Sequence, residues 1–162
     1  MKSFLSSAIL LLAFVAVSCT NSTEYQADQL SISQLASQPG YAWFPAEVNR
    51  FTPSQASVDS IRVAYASSPF TTYLYVNPSC TCSGTQKHFP HLYSTLKAAG
   101  IPDSSMVVYS MLNAATPHPN SDKFTVTVLP TFFFVRGSDI RKLVPPVDSL
   151  TRVDSLIANI VK

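Results

Sequence analysis

The chain is 162 residues long, 46% hydrophobic and only 12% charged, with a formal net charge of +2. That length suits one domain with a real apolar core, and so few charges with no basic run give no sign of a nucleic-acid partner. Twelve prolines among many serines and threonines point to abundant loops rather than to disorder.

The N-terminal stretch MKSFLSSAILLLAFVAVSC places Lys2 ahead of an apolar segment over residues 8–17, with small residues before Cys19. This is the pattern of a secretory signal, too short and one-sided for a membrane span. Ala16-Val17-Ser18-Cys19 resembles a bacterial lipobox, whose cysteine is acylated and becomes the first mature residue, although leucine is usual at the first position. The resemblance implies a signal peptide over residues 1–18 and a lipid on Cys19. The protein would then be anchored to a membrane of the cell envelope, facing the periplasm or the cell exterior. The alternatives are an ordinary signal peptide cut near Ser18 or beyond, or a buried hydrophobic helix. Residues 19–40 are polar and read as a tether, leaving residues 41–162 as the expected folded domain.

Beyond the opening YAWF, TPSQASVDSIRVAYA predicts a helix, with Thr52 as N-cap, Gln55 completing a capping box and Pro53 in the first turn. Val58, Ile61 and Tyr65 recur at helical spacing. TTYLYVN predicts a strand ended by the Asn77-Pro78 turn signal. A second helix is predicted over residues 84–99, with Phe89, Leu92 and Leu96 on one face, a kink at Pro90 and Gly100 at its end. SMVVYSML has the apolar run of an interior strand. After the loop NAATPHPNSDKF, TVTVLPTFFFVRGSDIRKLV reads as an antiparallel hairpin turning at Arg136-Gly137-Ser138-Asp139. A last helix starts near Asp148 and carries Leu150, Val153, Ile157 and Ile160. This order, with room for one more strand in front, implies an α/β fold with a mixed sheet covered on both faces.

If lipid occupies Cys19, the exported domain keeps the pair Cys80 and Cys82 in a disulfide-permissive compartment. A bridge spanning a single residue closes almost no loop, so it does little as a stability device. Residues i and i+2 do not face each other on a helix, so the bridge needs a turn with Cα atoms within about 7 Å. So small a ring is expected to reduce easily, which suits donating or shuffling disulfides. The attacking species is a thiolate, and a helix N-terminus lowers thiol pKa. Cys82, nearer the helix start at Ser83 or Gly84, is the candidate nucleophile and Cys80 its resolving partner.

The element order, the cysteines at a strand-to-helix junction and the VLPT that opens the penultimate strand together resemble the thioredoxin-like superfamily, from about Tyr41 to the C-terminus. The resemblance implies a mixed four- to five-stranded sheet flanked by helices on both faces, and a cis Leu129-Pro130 bond lying against the cysteines. Leu129, Pro130 and Thr131 would bind substrate, the Leu129 backbone pairing with an extended chain. The motif departs from the family, which carries C-x-x-C directly after a tryptophan, whereas here the motif is C-x-C and no tryptophan precedes it in the turn. Aligning on Pro78 puts Cys80 at the nucleophile position and Ser83 at the second. Aligning on Pro90 puts Cys82 and Thr85 there instead. The strand position where thioredoxins bury a carboxylate falls on Leu74 or Val76.

The implied activity is thiol–disulfide exchange with protein thiols and disulfides of the envelope, without a cofactor. Two other readings stand beside it: a thioredoxin-fold binding domain that has lost turnover, and a copper-handling protein using Cys80, Cys82, His88 and His91. Thiolate and imidazole suit copper. Both histidines nevertheless lie on a helix with its own apolar stripe, and the spacing matches no standard zinc pattern, so no metal is assigned. His118, in a proline-rich loop, has no partner visible in the sequence.

Overall fold

The computed structural model describes residues 25–82, 84–146 and 152–162. Folding begins earlier than the polar composition of residues 19–40 suggests. Strand β1 (Asp28–Leu30) pairs antiparallel with the strand β3 (Met106–Ser110), and a one-turn helix α1 (Ile32–Leu35) comes after it. The Ser31 backbone N–H donates to Gln34 Oε1 at 2.8 Å, closing the α1 N-terminus. Ile32 and Leu35 enter the core, Leu35 completely. Residues 28–35 are therefore no tether: two apolar side chains, spaced one turn apart, are enough to dock an otherwise polar segment. Helix α2 (Phe44–Arg50) comes next, with Phe44 buried against Phe89.

Helix α3 (Gln55–Ser67) is capped by Ser54 rather than by Thr52. The Ser54 hydroxyl accepts the Ser57 N–H at 3.3 Å. Pro53 therefore precedes the helix instead of lying in its first turn. The choice is made by a distant residue: Asp154 Oδ2 accepts the Ser54 N–H at 2.7 Å.

The central strand β2 (Thr71–Val76) runs parallel to β3 and antiparallel to β4 (Thr131–Arg136), which pairs antiparallel with β5 (Asp139–Leu143). The sheet order is β1-β3-β2-β4-β5. Gly137, with φ of 56°, supplies the left-handed residue that a two-residue hairpin needs. After β2 the chain winds through a wide five-residue π turn (Gly84–His88) into helix α4 (Phe89–Ala98). The cause is Pro90, which cannot donate a backbone hydrogen bond and crowds the carbonyl four residues back. Gly100, φ 84°, lies just past the helix end. Helix α5 (Val153–Ile160) buries Val153 and Ile157; Asp148 and Leu150 lie outside the described residues.

The five described α-helices pack on one face of the sheet. Ile32, Phe44, Ile61, Leu92 and Ile157 share a core there with Leu74, Val76, Val108, Phe132 and Phe134. The opposite face, expected to carry helices as well, is covered among the described residues by the loop over residues 111–130. Met111 and Phe124 from that loop close over Tyr75, Tyr109 and Phe133. Rings do the filling: Phe124 and Phe133 stack at 4.6 Å, and Tyr75 and Tyr109 at 5.1 Å. A stretch broken by Pro117 and Pro119 cannot form a covering helix, but large side chains make up for it.

Candidate functional site

β2 ends at Val76, and Asn77 organises the turn beyond it. Its Oδ1 accepts the Ser79 N–H at 2.8 Å, its carbonyl accepts the Cys80 N–H at 3.3 Å, and its Nδ2 donates to the Leu112 carbonyl at 2.7 Å. This turn, tied to the end of β3, delivers Cys80 and Cys82 as a disulfide with an S–S distance of 2.06 Å and Cα atoms 5.2 Å apart. Cys80 and Cys82 are both half-buried and Thr81 between them is exposed, so the bridge lies in a partly exposed turn.

Each sulfur has a nearby donor. The Cys82 N–H points at Cys80 Sγ, 3.2 Å away. The Thr85 hydroxyl lies 3.7 Å from Cys82 Sγ and donates to it, since a bridged sulfur carries no proton. The Cys82 carbonyl accepts the Gln86 N–H at 3.1 Å, which sets Cys82 at the start of the helical segment. Negative charge on either sulfur would therefore meet a donor. Beneath the site, Leu74 and Val76 are both fully buried in the helix-side core, with no carboxylate in their place.

The Leu129-Pro130 bond is cis. Because Tyr75 pairs with Thr131, the start of β4 lies beside the end of β2, and the proline turn reaches the cysteine end of the sheet. Pro130 abuts Gly84: a β-carbon on Gly84 would stand 2.7 Å from Pro130 Cδ. Thr131 is buried, its hydroxyl donating to the Val128 carbonyl at 2.6 Å, which closes the turn. Leu129 remains half-buried. The cysteines, Leu129, Pro130 and Thr131 are thus brought to one end of the sheet, with exposed Leu112 and Val128 in the flanking segments.

The copper set is not assembled. His88 Nε2 lies 3.1 Å from the Pro146 carbonyl, while His91 stacks on Phe51 at 4.0 Å. His118 packs edge-on against Tyr75, in the loop-covered face. Burial lowers the pKa of His91, helped by the neighbouring His88, and burial alone lowers that of His118. Among the described residues no three His, Cys, Asp or Glu side chains gather as a metal site, and no helix is long and apolar enough to cross a membrane.

Two contributors are not legible in the sequence. Thr85 enters the sequence pattern only as an alignment position, and the segment around Gly40 has the composition of a tether. Gly40, φ 89°, packs against Pro78, and Trp43 Nε1 donates to the Gly40 carbonyl at 2.6 Å. The one available signal is composition, since the chain has a single tryptophan and only four glycines. Cys19 and Ser83 lie outside the described residues. No family model, curated protein or solved structure matches the chain.

Proposed function

We propose that this protein is a thioredoxin-like thiol–disulfide oxidoreductase of the cell envelope, held to a membrane by lipid on Cys19 and acting on protein thiols and disulfides. The observation that carries the reading is the closeness of three features: a partly exposed Cys80–Cys82 bridge, the helical segment starting at Cys82, and the Pro130 turn touching Gly84. A bridge across one residue contributes little to stability, so its partly exposed position argues for exchange chemistry.

In the oxidising direction, a substrate thiolate attacks Cys82 Sγ and the Cys80–Cys82 bond breaks. The electron pair leaves on Cys80 Sγ, where the Cys82 N–H at 3.2 Å favours the negative charge. A second substrate thiolate then attacks the mixed disulfide, forming the substrate disulfide and releasing Cys82 as a thiolate beside the Thr85 hydroxyl. The substrate loses two electrons and two protons, and the protein pair gains them. The half-buried Leu129, at the same end of the sheet as the bridge, marks the surface along which an extended substrate would lie.

The test is oxidation of a reduced, unfolded protein by the purified domain, with mass spectrometry of both partners. The reading expects substrate disulfides to appear as the Cys80–Cys82 bridge is consumed. A bridge that persists unchanged beside substrate thiols would leave a binding domain instead.

A further inference from the structure

We infer that Gly40 and Trp43 are positioning residues for the disulfide, a role that rests on the oxidoreductase reading and concerns how that site is tuned. The Trp43 indole N–H donates to the Gly40 carbonyl at 2.6 Å. Gly40, held at φ 89°, presses on the turn that carries Cys80: a β-carbon there would stand 2.9 Å from Pro78 Cβ and 3.5 Å from the Pro78 carbonyl carbon. Only glycine combines that conformation with so close an approach. Tyr41, almost fully buried, and Phe44, whose N–H donates to the Tyr41 carbonyl at 2.9 Å, fix this segment to the core. The Asn77 turn is therefore gripped from two sides, by Leu112 through hydrogen bonding and by Gly40 through contact.

Ring closure depends on that grip. Re-forming the bridge requires the Cys80 thiolate to attack Cys82 Sγ in a mixed disulfide and expel the substrate thiolate. A turn already held with the two Cα atoms 5.2 Å apart presents Cys80 at high effective concentration. Loosening the clamp lowers that concentration and shifts the equilibrium toward the dithiol.

The experiment equilibrates wild type, Trp43→Phe and Gly40→Ala in glutathione redox buffers, with alkylation and mass spectrometry counting the bridge. Trp43→Phe keeps an aromatic ring near Tyr41 and Phe44 but removes the N–H. It should favour the dithiol by about fivefold, the worth of one hydrogen bond. Gly40→Ala should favour it by about tenfold, or ~30 mV for this two-electron couple. On a Pro78→Gly background, which removes the Cβ that Gly40 meets, the Trp43→Phe effect should shrink, a result that general destabilisation would not produce. If folded Trp43→Phe and Gly40→Ala both stay within about twofold of wild type, below the expected hydrogen-bond effect, the clamp has no redox role. Should Gly40→Ala fail to fold, Trp43→Phe decides the matter alone. A wild-type bridge inert toward protein substrates would overturn the oxidoreductase reading, while the glutathione equilibrium still decides the clamp.

Discussion

Gly84 and Pro130, 46 residues apart in sequence, touch so closely that no side chain fits between them: a β-carbon on Gly84 would meet Pro130 Cδ at 2.7 Å. The backbone does not demand glycine, since Gly84 is not among the positive-φ residues. Its role is to let the helical segment after the cysteines approach the proline turn. Alanine normally favours a helix over glycine by about 1 kcal/mol. Here Gly84→Ala is expected to destabilise by about 1–3 kcal/mol, because the methyl group forces the two segments apart. Urea denaturation checks this, and a neutral or stabilising result would mean that the turn yields easily.

The two cysteines should separate by role. Cys82→Ser is expected to abolish exchange, because the sulfur at the helical start is gone. Cys80→Ser should still attack substrate disulfides but accumulate mixed disulfides, visible as adducts on non-reducing gels. In the reduced protein, alkylation rates against pH should show Cys82 titrating below the ~8.5 of a free thiol. If Cys80 is the acidic, indispensable thiol, the strand-based alignment holds and the roles reverse.

Acid should weaken the fold through Asp154. Burial alone would raise its pKa, but the Arg152 guanidinium at 2.8 Å and the Ser54 and Ser155 N–H groups outweigh burial and bring it below the ordinary carboxylate value. A carboxyl with a depressed folded-state pKa contributes stability fully above its unfolded pKa, near 4, and loses it as pH falls through the folded value. Thermal midpoints should therefore fall below about pH 4. Asp154→Ala should cost about 2 kcal/mol at pH 7, mostly from the lost hydrogen bond to Ser54, since Arg152 is half exposed to solvent. The difference from wild type should shrink in acid. A constant difference from about pH 7 to pH 2 would contradict this linkage.

Leu35 tests where the domain begins. It is fully buried in the α1 segment, whose polar composition alone reads as a tether. Leu35→Ala should cost about 3 kcal/mol, within the range of buried leucine truncations. A true tether residue would cost nothing measurable.

Cys19→Ala probes the proposed anchor. The variant should leave the membrane fraction or accumulate with its signal uncleaved, as fractionation and mass spectrometry would report. Unchanged membrane association with normal processing would remove the lipid anchor from the proposed function.

Much of the scaffold is legible in the sequence because its signals are local. The β-branched and aromatic run TTYLYV, the Gly137-Ser138 hairpin and the stripe Phe89, Leu92 and Leu96 each declare a conformation within a few residues, and each forms accordingly. The cysteine pair is legible for the same reason, since one intervening residue limits what two thiols can do. The features that escape a sequence reading depend on partners far away in the chain. Ser54 rather than Thr52 caps α3 because Asp154, 100 residues later, takes the Ser54 N–H. The helices share one face because a proline-broken loop with Met111 and Phe124 covers the other. Residues 28–40 join the fold because Leu35 finds a core and Gly40 finds Pro78. Local sequence sets backbone preference through short-range sterics and hydrogen bonding; docking is decided by burial and close contact between distant residues, which exist only once the chain has folded.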